Sequence, residues 1–257
     1  MPAKVPGSAD PTTVDAILGG RITMQQPETG FRVAIDSVLL PAAVPAKPGE
    51  TILDVGCGVG AASLCLLRRV PGCKVVGLEV QSDVAALARL NAVRNGLEES
   101  FEVVEGDVSD PPLRITREKF FHVMMNPPYL PAGVGQAPKS ASRAKSSIEG
   151  EATLAAWIAF GFRALRPKGS LTIIHRADRL QEILFHLRNE ASEAGEIVVY
   201  PLWAKTRGNP AIRVIVRARK AVATPLRIAS GLVLHESDGS FSRDANAVLR
   251  DGGALEL

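Results

Sequence analysis

The stretch ILDVGCGVGAAS, residues 52–63, joins an apolar run to three alternating glycines and the start of a helical pattern. Because glycine has no Cβ, Gly56, Gly58 and Gly60 allow a sharp turn and a close approach of the backbone to a ligand. The spacing is G-x-G-x-G, whereas dinucleotide-binding loops have G-x-G-x-x-G. Asp54 precedes the loop, where a carboxylate would repel a pyrophosphate but complement an ammonium group or ordered water. The stretch predicts a strand, a ligand-binding turn and a helix, with an ordinary tight turn as the alternative.

Short β-rich runs alternate with helical patterns along most of the chain after residue 50. Near-continuous apolar strands in such an alternation indicate a parallel sheet that is covered on both faces. AIRVIVRAR, residues 211–219, alternates instead and predicts an antiparallel or edge strand. We therefore expect an α/β fold with a Rossmann-like sheet, mostly parallel with an antiparallel edge strand, and helices on both faces. The seven predicted strands are TILDV, KVVGLEV, FEVVEGD, FFHVMMN, SLTIIH, EIVVYPL and AIRVIVRAR.

Bulk properties restrict the class of protein. The 257 residues include 46% hydrophobic residues, a net charge of +3 and three cysteines without metal-type spacing. Sparse, odd cysteines suit a reducing compartment, and the opening residues lack the apolar core of a signal peptide. The longest apolar stretch is too short for a membrane span. We expect a cytoplasmic protein without a metal or membrane, with a flexible tail at 1–18, a main domain at 19–220 and an extension at 221–257 packed on it.

Two further acids follow the second and third predicted strands. Glu79 ends the second strand, about twenty residues past the loop, where a carboxylate can accept from both hydroxyls of a ribose. Asp107 ends the third strand and can accept from an adenine amino group, with Val108 packing near the ring. Ligands bind at the carboxyl ends of parallel strands. Together with Asp54, these acids favour an adenosine that carries an amino acid, although each alone is also typical of a strand end or a helix cap.

The stretch MMNPPYLP, residues 124–131, ends an apolar strand in an amide, two prolines and a tyrosine. Proline cannot donate to a sheet ladder, so the strand must stop there. The Asn126 side-chain carbonyl and the Pro127 backbone carbonyl can both accept hydrogen bonds from one NH₂ group, and the fixed φ of Pro127 and Pro128 holds them in place. Tyr129 offers a ring face for a planar group. These residues predict a catalytic site for a planar amine, with a plain proline turn as the alternative.

Taken together, LDVGCGVG, GLEV, EGDV and NPPY resemble the motifs of class I S-adenosylmethionine-dependent methyltransferases over roughly residues 20–220. The resemblance implies a seven-stranded methyltransferase sheet and S-adenosylmethionine as the cofactor. In that family NPPY marks methylation of planar amino groups, namely adenine N6 in DNA or RNA, guanine N2 in ribosomal RNA, or a glutamine amide in release factors. The residues that it implies for cofactor binding are Asp54, Gly56, Gly58, Gly60, Glu79, Asp107 and Val108.

The segment GGRITMQQPETGFRVAIDSVLLPAAV, residues 19–44, resembles enzymes that methylate adenine N6 beside the anticodon of a valine tRNA. The resemblance implies that Asp36 and Ser37 contact the cofactor and that Phe31 and Arg32 contact the substrate. An amphipathic lead-in helix packed on the sheet is the alternative. Basic residues elsewhere suit phosphate contacts to a folded RNA, or are ordinary solvated charges; the substrate-binding candidates among them are Arg143, Lys205 and Arg207.

The expected function is methylation of an exocyclic amine, most specifically adenine N6 in tRNA, with the oligomeric state left open to include a homodimer. Methylation of a protein glutamine is the nearest alternative, but those enzymes usually carry a separate amino-terminal helical domain. A catalytically silent RNA-binding module is another alternative, disfavoured by the intact set of acids and Asn126. A nicotinamide dehydrogenase is disfavoured by the loop spacing.

Overall fold

The computed structural model describes residues 11–28, 32–117, 119–129, 152–189, 191 and 193–257. Short 3-10 helices lie at Leu18–Gly20 and Ala177–Arg179. The helices and strands of the described residues are β1 (Thr12–Ile17), β2 (Ile22–Pro27), α1 (Asp36–Ala42), β3 (Thr51–Val55), α2 (Ala61–Arg69), β4 (Lys74–Glu79), α3 (Ser82–Arg94), β5 (Phe101–Glu105), α4 (Leu113–Arg117), β6 (Phe120–Met125), α5 (Leu154–Ala164), β7 (Leu165–Arg176), α6 (Leu180–Asn189), β8 (Ala194–Trp203), β9 (Arg213–Lys220), β10 (Arg227–Ile228), β11 (Leu232–Val233) and α7 (Arg243–Leu249).

The main sheet has the strand order β5-β4-β3-β6-β7-β9-β8-β10, with β11 also paired to β8. Strands β3 to β7 pair in parallel, and β9 is antiparallel to both β7 and β8. The seven-stranded α/β prediction is confirmed, and the antiparallel strand β9 runs between β7 and β8 instead of along the outside. Since β7 and β8 are both antiparallel to β9, β8 ends at the same edge as the parallel strands. The loops that follow β3 to β8 therefore share one edge.

Hydrophobic residues fill both faces of the sheet, as the near-continuous apolar strands predict. Because side chains alternate along a strand, Ile52 of β3 joins one cluster and Leu53 joins the other. Helices α1, α2, α3 and α7 cover the first cluster, with Leu39 and Leu64 fully buried there. Helices α4, α5 and α6 cover the second, which includes Ile158. Helices on both faces leave the carboxyl edge of the sheet as the place where loops and ligands can meet.

A β-hairpin of β1 and β2 precedes the main sheet, although the sequence predicts a flexible tail through residue 18 and permits a helix after it. Asn91 of α3 and Asn95, which directly follows that helix, hold the second strand of the hairpin. Asn91 Oδ1 accepts from the Gln25 amide at 2.7 Å and its Nδ2 donates to the Gln25 carbonyl at 2.9 Å, while Asn95 binds both backbone groups of Thr23. Each side-chain amide thus makes the pair of backbone hydrogen bonds that a neighbouring strand would otherwise make. The hairpin end, Pro27, consequently reaches the carboxyl edge of the sheet.

Residues 221–257 pack on the same body as the main sheet. β10 and β11 extend the sheet beside β8, and α7 packs near α1, where Val248 is buried. The Leu255 amide donates to the Ala42 carbonyl at 2.8 Å, and Arg217 Nη2 donates to the Leu257 carbonyl at 2.7 Å. The extension therefore packs against α1 and bonds to its last residue. Within the described ranges, every helix is too short or too polar to cross a bilayer.

Candidate active site

A cavity of about 260 Å³ lies at the carboxyl ends of β3 to β6. Its position is the topological switch point, where β3 pairs with β4 on one side and with β6 on the other. Most of the sequence-predicted site residues meet in its wall, which includes Ser37, Asp54, Gly56, Gly58, Glu79, Asp107, Val108, Asn126, Pro127, Pro128 and Tyr129. Gly60 and Asp36 stand just outside the wall. Residues that are distant in sequence thus form one site.

The glycine loop needs glycine at Gly56, Gly58 and Gly60 for different reasons. All three have positive φ, at 68°, 57° and 88°. A Cβ on Gly56 would lie 2.5 Å from the Trp157 ring, and one on Gly60 would lie 2.7 Å from the Phe101 ring. A Cβ on Gly58 would meet nothing within 4 Å. Gly56 and Gly60 therefore allow close packing within the fold, while Gly58 leaves its backbone open to the cavity.

Asp54 is an almost fully buried carboxylate, 2% exposed, at the base of the cavity. Its Oδ2 accepts a hydrogen bond from Ser63 Oγ at 2.6 Å. Burial raises the pKa of Asp54 to about 7; the Ser63 hydrogen bond opposes this rise, and the Glu79 charge adds to it. Within the described chain, no lysine or arginine pairs with Asp54 or Glu79. A desolvated carboxylate without a cation favours a positively charged ligand group, which fits the ammonium of S-adenosylmethionine.

Glu79 ends β4, whereas Asp107 lies two residues after the end of β5 and not at its last position as predicted; both lie beside the cavity and bind the protein backbone. Glu79 Oε2 accepts from the Gly58 amide at 3.0 Å, and its Oε1 accepts from the Gln81 amide at 2.9 Å. Burial raises the pKa of Glu79, and these backbone hydrogen bonds oppose it. Asp107 Oδ1 accepts from the Ser109 amide at 2.6 Å. A carboxylate oxygen has a second lone pair, so both acids keep acceptor capacity for hydroxyl or amino groups of a ligand.

The turn at residues 126–129 holds an unsatisfied acceptor. Asn126 Oδ1 is buried, and among the described residues it has no hydrogen-bond partner. Pro127 is also buried in the cavity wall. Leaving a buried acceptor unpaired costs about 1–3 kcal/mol, and a ligand that donates there recovers this energy. The geometry therefore suits a ligand N–H at this end of the cavity.

Tyr129 and Asp36 bind each other beside the cavity. The Tyr129 hydroxyl donates to Asp36 Oδ2, and Arg213 Nε lies 3.2 Å from the same oxygen. Asp36 is outside the cavity wall, whereas the adjacent Ser37 is part of it. The predicted cofactor role of Ser37 is compatible with its placement. The predicted contact of Asp36 with the cofactor stays a prediction, and its described partners are protein side chains.

The predicted substrate residues have different surroundings. Arg32 pairs with Asp15 of β1, with 2.8 Å between Nη2 and Oδ2. Lys205 and Arg207 are exposed in the loop between β8 and β9, at the same edge as the cavity, and Arg207 Cζ lies 5.7 Å from the Trp203 ring centroid. No described carboxylate pairs with either cation. The remaining two candidates, Phe31 and Arg143, lie outside the described residues.

Three functional neighbours escape the sequence patterns. Trp157 of α5 forms part of the cavity wall and packs on Gly56, but in the sequence it is an aromatic residue within an apolar helix. Ser63 holds Asp54 from one turn into α2. Arg213 lies near a basic cluster in the sequence, yet it contacts the Tyr129 ring. Of the three, only Ser63 could have been found from the sequence, because it lies three residues after Gly60 and close to Asp54 in the chain.

Comparison with known proteins accounts for this arrangement. Residues 31–194 match the family model "Methyltransferase small domain". The chain belongs to the methyltransferase small domain family. The match spans the glycine loop, the strand-end acids, the NPPY turn and most of the parallel sheet.

The described residues hold no group of three or more His, Cys, Asp or Glu side chains suited to a metal ion.

Related proteins show what this family member is similar to. A tRNA1(Val) (adenine(37)-N6)-methyltransferase of Porphyromonas gingivalis is 29% identical over 169 residues, which are 63% of this chain and 66% of the relative. An enzyme of the same name from Dickeya chrysanthemi is 27% identical over 226 residues, covering 86% and 87%. A release factor glutamine methyltransferase of Agrobacterium fabrum is 32% identical over 119 residues, covering 46% and 39%.

Solved structures show the same fold. A "predicted O-methyltransferase" from Agrobacterium tumefaciens superposes with a TM-score of 0.69 at 24% identity, covering 86% of this chain and 97% of that one. A 16S rRNA N2 methyltransferase of T. thermophilus, in complex with AdoMet and guanosine, has a TM-score of 0.54 at 20% identity, covering 81% and 50%.

Proposed function

We propose that this methyltransferase transfers the methyl group of S-adenosylmethionine to an exocyclic amine, adenine N6 in a tRNA. The observation that carries the proposal is the buried, unpaired Asn126 Oδ1 in a cavity whose wall also contains the carboxylates Asp54 and Glu79. The unpaired amide oxygen suits an amine, and the carboxylates suit a cation. The tRNA is supported by the relatives from Porphyromonas gingivalis and Dickeya chrysanthemi, and such a substrate is found in the cytoplasm.

The three acids at the cavity would hold the cofactor. Asp54 would pair with the ammonium group, Glu79 would accept from the ribose hydroxyls, and Asp107 would accept from the adenine amino group, with Val108 against the ring. The open backbone at Gly58 allows a ligand to lie directly on the loop. When bound, S-adenosylmethionine supplies an electrophilic methyl group on a positively charged sulfur.

The NPPY turn would prepare the amine for reaction. The lone pair of an exocyclic amine is delocalised into its ring, which makes the group a poor nucleophile. Two N–H donations, to Asn126 Oδ1 and to the Pro127 carbonyl, would orient the nitrogen and favour a tetrahedral geometry. Transfer would form the N–C bond as the C–S bond breaks, and the nitrogen would then release one proton to water. The turn therefore acts by positioning, without a strong base.

Lys205 and Arg207 would contact phosphates of the tRNA. They lie at the same edge as the cavity and have no carboxylate partner within the described residues, whereas Arg213 at the end of that loop is paired with Asp36. Exposed, unpaired cations are available for phosphate contacts, and each such contact makes binding salt-dependent. Removing both charges should weaken RNA binding and lower its salt dependence.

The test is methylation of an unmodified tRNA transcript, with the product nucleoside identified by mass spectrometry. We expect N6-methyladenosine from the wild type. Asn126→Ala should lower kcat on the order of 100-fold or more and leave cofactor affinity nearly unchanged. Asn246→Ala is a matched control, because its amide binds the Phe241 carbonyl near α7, remote from the cavity. Full turnover by Asn126→Ala would overturn the assigned role.

A release factor serves as the parallel substrate, since a glutamine amide presents the same planar NH₂ group and the relative from Agrobacterium fabrum carries that name. If methyl-glutamine forms and methyl-adenosine does not, the substrate is a release factor and not a tRNA, while methyl transfer to a planar NH₂ group still holds. Binding of RNA without binding of S-adenosylmethionine would instead identify a silent RNA-binding module and overturn the proposal.

A further inference from the structure

The Tyr129 residue is held from four directions by side chains that lie outside the cavity wall. Its hydroxyl donates to Asp36 Oδ2. The guanidinium carbon of Arg213 lies 4.9 Å from its ring centroid, and the His175 ring packs against it edge-on at 5.1 Å with an interplanar angle of 62°. Arg179 Nη1 donates to its backbone carbonyl at 3.2 Å. This set of contacts fixes both the ring and the main chain of one residue.

Asp36 and Arg213 also bind each other, so the three side chains form a closed group. Arg213 Nε lies 3.2 Å from Asp36 Oδ2, the oxygen that accepts from Tyr129. Asp36 is 5% exposed, and a buried carboxylate is stable only when it is paired and hydrogen-bonded. Burial, followed by the Asp36 charge, raises the pKa of the Tyr129 phenol, which therefore remains protonated and keeps donating. Asp36, Tyr129 and Arg213 therefore stabilise one another.

The group joins three segments that are far apart in the sequence. Asp36 begins α1, Tyr129 ends the NPPY turn and Arg213 begins β9. The contacts span 93 residues from Asp36 to Tyr129 and 177 residues from Asp36 to Arg213. Ser37, the next residue of α1, lies in the cavity wall. The same helical turn therefore meets the cavity and fixes Tyr129.

We propose that Asp36 and Arg213 are positioning residues that orient the Tyr129 ring as the wall on which the planar acceptor stacks. The inference rests on the proposed function. Because Arg213 occupies one ring face, the acceptor would stack on the other. Asp36 acts through Tyr129 and not on the cofactor. The Tyr129 hydroxyl is committed to Asp36 and takes no part in proton transfer.

Kinetics with saturating cofactor test this arrangement. Misplacement of a reacting group by about 1 Å can cost about 100-fold, so we expect Asp36→Asn and Arg213→Met to lower kcat by about 10- to 100-fold. The dissociation constant of S-adenosylmethionine should change by less than about threefold, and Arg213→Lys should recover part of the loss. The matched control is Arg219→Met on the same strand, which removes a cation paired with Glu196 at 2.9 Å.

A double-mutant cycle separates positioning from a direct role. In a Tyr129→Phe background, which already lacks the hydroxyl contact, Asp36→Asn should cause little further loss because coupled residues are not additive. Additive losses would overturn the inference. So would an Asp36→Asn variant with normal kcat and at least about tenfold weaker cofactor binding, which would make Asp36 a direct cofactor contact.

A spectroscopic readout does not depend on activity. The sequence has two tyrosines, Tyr129 and Tyr200, so 3-fluorotyrosine labelling gives two ¹⁹F signals that Tyr200→Phe assigns. Asp36→Asn and Arg213→Met should shift the Tyr129 signal, and Arg219→Met should leave it unchanged. An inactive wild type on tRNA would refute the proposed function alone. An unmoved Tyr129 signal, or full activity in Asp36→Asn and Arg213→Met, would refute the positioning role.

Discussion

Removal of the buried charge in Asp54→Asn should stabilise the cofactor-free protein near and above pH 7. Burial raises the pKa of Asp54 from an ordinary 3.8 to about 7, even though Ser63 donates a hydrogen bond to it. One pKa unit corresponds to about 1.4 kcal/mol. Ionising this carboxyl therefore costs about 4 kcal/mol more in the folded protein than in the unfolded chain. An asparagine avoids that cost and keeps an acceptor for Ser63.

The pH window follows from the direction of the shift. Below about pH 4 the carboxyl of Asp54 is protonated in both states, so it contributes no pH dependence. Between about pH 4 and pH 7 the unfolded chain releases the proton and the folded protein retains it. Stability then decreases as the pH rises, by up to about 4 kcal/mol in total. Above about pH 7 both states are ionised and the contribution is constant.

Urea unfolding of the wild type and Asp54→Asn, in steps of about one pH unit from about 4.5 to 7.5, measures this difference. The gap in unfolding free energy should widen in favour of the variant as the pH rises. Asp15→Asn is the control, because hydrogen bonds from Gln26 and Thr13 lower the pKa of Asp15, so its carboxyl is largely ionised in both states over this range and the gap should stay nearly constant. The stability that Asp15 contributes is present above its unfolded pKa and is lost at low pH. A constant gap for Asp54→Asn would refute the reasoning.

Proton release on cofactor binding tests whether the raised pKa of Asp54 decreases when the cofactor binds. An ammonium group beside Asp54 lowers its pKa, so binding near pH 6 should release a fraction of one proton. Calorimetry in two buffers with different ionisation enthalpies measures the number of protons released. Asp54→Asn should bind more weakly and release fewer protons, and equal release by both proteins would remove Asp54 from the cofactor site.

Three further outcomes test the packing around the site. Gly60→Ala should lower the free energy of unfolding by about 1–3 kcal/mol more than Gly49→Ala, as measured by denaturant unfolding. Both glycines have φ near 85–88°, but only a Cβ on Gly60 would meet a ring. Asn91→Ala removes its two hydrogen bonds to the Gln25 backbone, at about 0.5–1.5 kcal/mol each, and faster amide hydrogen exchange in the hairpin should report this loss. Because Trp157 lies in the cavity wall, cofactor addition should change tryptophan fluorescence in Trp203→Phe and not in Trp157→Phe.

The parts of the fold that the sequence predicts are those that local patterns encode. The seven main strands follow from apolar runs bounded by glycine, proline or polar residues, as around Asp54 and Asn126. The β1–β2 hairpin does not, because the partners that hold β2 are helical asparagines 66 to 72 residues away. The surroundings of Tyr129 are equally non-local. An arginine that stacks on a ring 84 residues earlier has the same sequence pattern as a solvated one, so Arg213 is visible only in the structure.

The distribution of charge within the cavity favours an amine acceptor over a hydroxyl. A hydroxyl needs a base to become a nucleophile, whereas an amine can lose its proton after transfer. In the proposed complex Asp54 and Glu79 face the cofactor rather than the acceptor, and the Tyr129 hydroxyl donates to Asp36. His175 packs on the ring edge, and burial lowers its pKa to about 4, which makes it a weak base at neutral pH. The groups at the NPPY turn are neutral acceptors, which supports the proposal of an acceptor that donates two N–H bonds.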